Sequence, residues 1–323
     1  MQHVNILVSA QAADSLQSGL AALPDSQRYR LTVFEHADEQ ALVQVDAALV
    51  SRDITGASTK HVLDDFTARY YDALRSASGL KWVHIHSAGL DRPIFGELQA
   101  RGVEVTPSSG VNAQSVAHTA VAGVLALNRH FPQIMRQQAQ RRWRTLASSA
   151  SLPSDLAGQT AVIVGWGSIG RLIGEFLMAL GMQIIVVRHN PEPVPQALAT
   201  VAYGDLATVL AQAQWLVLAC PLTDVTKRLI DQNMLAALPP GASVVNVSRG
   251  EVVAEQALIA ALQSNHLAGA FLDVFEHEPL PADSPLWDME NVIASPHSAG
   301  HAAGNYQRVL NMFLDKLKKR YSS

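Results

Sequence analysis

The chain has 323 residues, 48% hydrophobic and 16% charged, with a formal net charge of −4. That length exceeds what one core usually organises, so two domains are expected, and the apolar share excludes a disordered chain. The acidic balance argues against a nucleic-acid partner, and no apolar run approaches the ~20 residues that span a bilayer.

The chain opens on Val4-Asn5-Ile6-Leu7-Val8, which reads as a strand and not as a cleaved leader. Further β-type runs follow at residues 30–34, 47–50, 82–85 and 103–105, with helical patterns near 12–22 and 61–77. The cluster Thr106-Pro107-Ser108-Ser109-Gly110 then marks a boundary before a long apolar helix at 112–128. Residues 139–154 carry Arg141, Arg142, Trp143 and Arg144, then Ser-rich sequence. They read either as an exposed arm or subunit contact, or as a solvated connection.

Strands read next at 160–164, 183–187, 215–219, 243–247, 269–272 and 292–294, with helices near 168–180, 205–212 and 255–264. Strand–helix alternation implies a parallel, doubly wound sheet, and two such series imply an α/β chain with two sheets. A closing helix at 301–320 sets Val309, Leu310, Phe313 and Leu317 at helical spacing. It is expected to pack back on the first domain. The expected division is a discontinuous substrate-binding domain, 1–105 plus 297–323, around an inserted dinucleotide-binding domain, 106–296. The expected site is the cleft between them. The single cysteine, Cys220, excludes an internal disulfide and suits the reducing cytoplasm.

The run Ala161-Val162-Ile163-Val164 leads into Gly165-Trp166-Gly167-Ser168-Ile169-Gly170 and then a helix. In that context G-x-G-x-x-G reads as a pyrophosphate site. Gly165 permits the tight turn, Gly167 lets backbone approach the phosphates, and Gly170 lets helix pack on strand. The helix start at Ser168 and Ile169 then aims N–H groups and the positive dipole end at the anion. Three more motifs sit at strand ends: Asn246-Val247-Ser248-Arg249-Gly250, Asp273-Val274-Phe275-Glu276-His277-Glu278-Pro279, and Ser295-Pro296-His297-Ser298-Ala299-Gly300.

The order G-x-G-x-x-G, S-R-G, D-V-F-x-x-E-P and P-H-x-A-G resembles the D-isomer-specific 2-hydroxyacid dehydrogenase family, most nearly its glyoxylate/hydroxypyruvate reductase type. The resemblance implies two Rossmann-like domains, a nicotinamide cofactor, a small 2-keto or 2-hydroxy acid and a homodimer. Arg249 would grip the carboxylate and the carbonyl through its planar fork. His297 would exchange a proton with the substrate oxygen, and Glu278 would orient His297 and favour its imidazolium. Glu276 and His277 match no family role. Ser87, Ala88 and Gly89 resemble the loop that holds the substrate carboxylate, as an anion nest. Arg52 gives a second contact to the variable end of the substrate. His84 and His86 read as buried, hydrogen-bonded histidines, and Trp287 as a packing residue.

Arg188 stands where the family usually has Asp, about 20 residues past the glycines. A cation there attracts a 2′-phosphate, so NADP(H) is the expected cofactor, with His189 and Asn190 assisting and NAD(H) as the alternative. Cys220, Pro221, Val247, Ser248, Asp273 and Gly300 are expected along the cofactor, beside Arg249 and His297. His118 stands where relatives usually carry Glu. Two other readings stay open: a dinucleotide-sensing protein like the corepressors of this fold, and a phosphite-type dehydrogenase.

Overall fold

A computed structural model describes residues 3–56, 58–59, 61–148 and 152–321. Two compact units divide the chain: Met1–Asn112 with Ala302–Ser323, and Ala113–His301.

In the first unit five parallel strands take the order β2-β1-β3-β4-β5: β1 Val4–Val8, β2 Tyr29–Val33, β3 Ala47–Val50, β4 Trp82–Ile85 and β5 Glu104–Pro107. The central strands β3 and β4 are buried throughout, as expected where both faces of a sheet are covered. The closing helix, Asn305–Tyr321, lays Val309, Leu310, Phe313 and Leu317 into this core, with Phe313 stacked on Trp82 at 5.2 Å. Order reverses at β1, which has β2 on one side and β3 on the other. At that switch the Ser9 and Ser51 hydroxyls lie 3.5 Å apart.

The second unit holds seven parallel strands in the order β12-β11-β10-β9-β6-β7-β8. They are β6 Thr160–Val164, β7 Gln183–Arg188, β8 Ala199–Ala202, β9 Trp215–Leu218, β10 Ala242–Asn246, β11 Leu267–Leu272 and β12 Val292–Ala294. Strand β6 lies at the switch, between β7 and β9, where open sheets place their ligands.

The α/β class with two doubly wound sheets stands. Several details differ from the sequence reading. Strand β8 was not anticipated; it is a half-buried edge strand of four residues, without a continuous apolar run. The helix expected at 61–77 begins at Asp65, because the Asp64 carboxylate caps it, accepting from the Thr67 N–H at 2.7 Å. A further helix, Phe131–Ala139, follows a left-handed His130. The units part at 112/113 and 301/302, not at 105/106 and 296/297. The turn after β5 stays with the first sheet, through Ser108 N–H to Ser87 O. The His297 N–H donates to Asp273 O, which keeps that loop with the second sheet.

Candidate active site

The glycine turn is built by close contact and left open at one place. Gly165 has φ +100°, and a Cβ there would lie 2.6 Å from the Cys220 Cα. A Cβ on Gly170 would lie 1.9 Å from the Gly165 carbonyl oxygen. A Cβ on Gly167 would meet nothing within 4 Å. Gly165 and Gly170 thus serve the packing of turn, helix and β9, while space lies over Gly167. Gly167 is also the N-cap of helix Ser168–Ala179 and has no side chain to satisfy its first N–H groups. Gly167 and Ser168 are exposed, and Ile169 is half-buried. An uncapped helix start under open space fits a diphosphate.

At the end of β7, Arg188 is half-buried and close enough to Tyr203 for their charges to interact, while His189 and Asn190 are exposed. The Asn190 amide donates to Glu192 Oε1 at 3.0 Å. A carboxylate therefore does sit nearby, two residues beyond Asn190. Cys220 follows β9, and burial pushes its thiol up to about 12. A neutral, buried thiol is a packing group and not a nucleophile. Pro221 beside it is exposed.

Arg249 is positioned by its neighbours. Asn246, the last residue of β10, accepts from the Ser248 N–H and hydroxyl at 3.0 and 2.6 Å, and its amide donates to Arg249 O at 3.2 Å. Val247 and Ser248 are buried beneath the half-buried Arg249. A Cβ on Gly250 would lie 1.9 Å from the Phe275 carbonyl carbon, so this turn rests on the loop after β11. That loop carries Glu278, whose Oε1 accepts from the Phe275 N–H at 3.1 Å. Glu278 Oε2 lies 2.8 Å from His297 Nδ1. The contacts thus run unbroken from the Arg249 turn to His297.

The pair is asymmetric. The Glu278 side chain is 11% exposed and that of His297 45%, so the carboxylate is enclosed and the imidazole is offered outward. His297 holds a left-handed φ of 50°, an uncommon conformation for a non-glycine residue. Asp273 steadies it. Its carboxylate accepts from the Ser298 N–H at 2.8 Å and the Ala299 N–H at 3.0 Å. Asp273 is 2% exposed, and burial raises its pKa against these hydrogen bonds. Glu276 goes elsewhere: its carboxylate lies 3.8 Å from Arg228. Gly300 is half-buried at the end of the same loop.

Sequence reading placed Asn246 and Gly250 in a motif without giving either a supporting role, and missed the hold of Asp273 on the histidine loop. Asn246 was visible as an amide at a strand end; the other two depend on which loops meet. Trp287 corrects an expectation: it is a half-exposed surface residue whose indole donates to Pro281 O. His118 packs its ring against Phe176 at 5.2 Å, and Thr119 beside it donates to Ala299 O.

In the first unit, Ser87, Ala88 and Gly89 follow β4 and are half-buried. Among the described residues no acceptor takes their backbone N–H groups, and the Ser87 hydroxyl closes the turn onto Gly89 O at 3.0 Å. Arg52 follows β3 and is exposed. Of the two histidines expected to be buried, His84 is. His86 is only half-buried and shares a hydrogen bond with Thr55. No group of three or more His, Cys, Asp or Glu among the described residues is placed to hold a metal.

Comparison with known proteins bears on this arrangement. Residues 121–299 match the family model described as D-isomer specific 2-hydroxyacid dehydrogenase, NAD binding domain. The chain is 33% identical over 308 residues to an (S)-sulfolactate dehydrogenase of Chromohalobacter salexigens, covering 93% of this chain and 94% of that one. It is 34% identical over 273 residues to a glyoxylate/hydroxypyruvate reductase B of Klebsiella pneumoniae, covering 84% and 80%. A crystal structure of a D-isomer specific 2-hydroxyacid dehydrogenase from Xanthobacter autotrophicus, in complex with NADPH and MES, aligns with a TM-score of 0.73 at 28% identity. It covers 99% of this chain and 96% of that one.

Proposed function

The chain belongs to the D-isomer-specific 2-hydroxyacid dehydrogenase family of oxidoreductases, and from that premise we propose an NADPH-preferring reductase of small 2-keto acids, of the glyoxylate or hydroxypyruvate kind. The observation that carries this reading is the 2.8 Å Glu278–His297 pair, joined by packed loops to the Arg249 turn.

When bound, the nicotinamide supplies hydride, a chemistry no side chain provides. Arg249 grips the substrate carboxylate and stabilises the charge that develops on the carbonyl oxygen. His297 gives that oxygen its proton through Nε2, because Nδ1 faces Glu278. In the reverse direction it removes the same proton from the D-2-hydroxy acid. Glu278 fixes the ring and balances the imidazolium. In the first unit, the N–H groups of Ser87, Ala88 and Gly89 receive a substrate carboxylate oxygen, and Arg52 meets the substituent beyond it.

Gly165, Gly167, Ser168, Ile169 and Gly170 hold the diphosphate, with Cys220, Pro221, Val247, Ser248 and Gly300 along the dinucleotide. Asp273 already accepts from the histidine loop, and its carboxylate would also meet the carboxamide when the dinucleotide is bound. Arg188, His189 and Asn190 receive the 2′-phosphate. The bond from Asn190 to Glu192 makes Arg188 the principal contact. Arg188→Asp should move the NADPH/NADH ratio of kcat/KM toward NADH by about 10-fold or more, the scale of one charge-assisted hydrogen bond. Leu125, Phe131, Met135 and the 96%-exposed Trp143 leave apolar surface around helix Phe131–Ala139. Our reading is a two-fold homodimer through this face; sedimentation as a monomer at micromolar concentration would refute it. Residues 149–151, part of the Ser-rich segment expected beside it, lie outside the described residues.

Initial rates of NADPH and NADH oxidation with glyoxylate, hydroxypyruvate, pyruvate and an aromatic 2-keto acid test the assignment. Turnover with NADPH favoured is expected. Tight NADPH binding without turnover of any 2-keto acid would overturn it.

A further inference from the structure

The helix Glu255–Gln263 begins without a side-chain cap, because its N-cap is Ala254. Glu255 is its first residue, where the helix dipole favours a carboxylate. The dipole does not account for what this side chain does. Glu255 is half-buried, and its Oε2 bonds outside its own helix, accepting from the Glu276 N–H at 3.0 Å, 21 residues away in sequence. That placement is costly. Burial raises the Glu255 pKa, and the charge of Glu276 adds to the rise, while the Glu276 N–H and His277 act against it. A carboxylate kept there needs a bond that offsets the cost, and the Glu276 N–H supplies it.

The bond matters because of where it lands. The Glu276 N–H belongs to the Phe275–Glu276 peptide. A Cβ on Gly250 would overlap the carbonyl and the nitrogen of that same peptide, so the turn that carries Arg249 lies against it. One peptide plane is thus held twice, pressed by Gly250 and hydrogen-bonded by Glu255. Phe275 joins it to the preceding peptide, whose N–H donates to Glu278 Oε1 at 3.1 Å. The other oxygen of Glu278 meets His297 Nδ1 at 2.8 Å. A rigid peptide plane turns only with the dihedrals on either side of it. Releasing Phe275–Glu276 therefore also frees the Phe275 N–H to turn away from Glu278. The Glu276 side chain is off this path, since it faces Arg228, whose own N–H is fixed on Glu251 O at 2.7 Å.

We infer that Glu255 is a positioning residue for the Glu278–His297 pair, acting through the Phe275–Glu276 peptide. This rests on the reductase reading above and deepens it.

Two variants separate this role from a helix-dipole role. Glu255→Gln keeps the length and an accepting oxygen but loses the charge. Glu255→Asp keeps the charge at the helix start but is one methylene too short to reach. The assay uses the 2-keto acid that the wild type reduces fastest. Glu255→Asp should lower kcat about 10-fold, the scale of one hydrogen bond to a charged group, and leave both KM values within about twofold. Its pH profile of kcat should move as that of Glu278→Gln does. Glu255→Gln should keep most of the wild-type kcat. Combining Glu255→Asp with Glu278→Gln should lower kcat by less than the product of the two single losses, because both act on one pair. The reverse order, with the Gln variant damaged and the Asp variant intact, or losses that multiply in full, would overturn the inference.

Amide exchange followed by NMR tests the same path without turnover. The Glu276 and Phe275 N–H groups should both exchange faster in Glu255→Asp than in the wild type, and near the wild-type rate in Glu255→Gln. Faster exchange at Glu276 alone would mean that the hold ends there, and would overturn the inference. If no 2-keto acid turns over, the reductase reading fails, and the exchange rates still decide whether Glu255 keeps the Phe275 N–H on Glu278.

Discussion

His84 lies within β4 of the first unit, fully buried against Trp82 and Phe313, with Nδ1 on Thr106 and Nε2 on Ser108. His297 follows β12 of the second unit, with its side chain 45% exposed and Nδ1 on a carboxylate. The two share a side chain and sit at or just past the end of a parallel strand, yet one is enclosed by the core and the other is offered outward against a carboxylate. Burial, and then the charge of Lys316, push His84 down to about 3, so it stays neutral and both its nitrogens are spent. His297 has an enclosed carboxylate behind it and its Nε2 turned outward, the arrangement a proton carrier needs. The difference teaches that the partner on the second nitrogen, and not the position along a strand, sets what a histidine does here.

The largest expected consequence falls on turnover. His297→Ala should reduce kcat by roughly 10²- to 10⁴-fold, the usual worth of a positioned acid–base group. His84→Gln, assayed on folded protein, should stay within about threefold of wild type, because His84 is walled into the core. Steady-state kinetics on both variants decide the matter. Comparable losses in both would end the distinction drawn between them.

Stability against pH shows the opposite side. His84 takes up a proton near pH 3 in the folded chain but near 6.5 when unfolded. Between those values the unfolded state binds more protons, so stability rises with pH there and is lost as pH falls from about 6.5 toward 3. The slope from this one group is about 1.4 kcal/mol per pH unit, and it vanishes above 6.5. Urea unfolding of the first unit at pH 7, 5.5 and 4.5 measures it. His84→Gln should be less stable at pH 7 and flatter below it; an unchanged slope would assign the acid sensitivity to other groups.

Much of this contrast is readable in the amino-acid order, and the unread part has a common cause. Residues 160–164 announce a strand because burial on both faces makes them apolar without interruption. The glycine spacing announces a turn because steric exclusion at Gly165 and Gly170 is local to it or to the adjacent strand. Strand β8 is hidden because an edge strand needs no such run. Gly250 carries no local sign either. Its need for a bare Cα comes from Phe275, 25 residues away in sequence, and appears only once β10 and β11 lie side by side. The inward turn of Asp273 is of the same kind, since its partners Ser298 and Ala299 belong to the loop of the next strand.

The last comparison sets a moderate effect against the smallest one, in two glutamates on one loop. Glu278→Gln keeps the shape and can still accept from the Phe275 N–H, but it removes the charge behind the imidazole. A fall in kcat of about 10²-fold is expected, less than the loss recorded when a triad carboxylate is neutralised. The pH profile of kcat should also move, which a purely structural defect would not cause. Glu276→Gln removes a carboxylate that faces Arg228 at 3.8 Å, on a largely exposed guanidinium. Such a pair contributes about 0–1 kcal/mol, so turnover should stay within about twofold and its pH profile should not shift. Two residues of one type, separated by a single histidine, would then differ by nearly two orders of magnitude. The cause would be that one carboxylate ends on Nδ1 of His297 and the other on a solvated arginine.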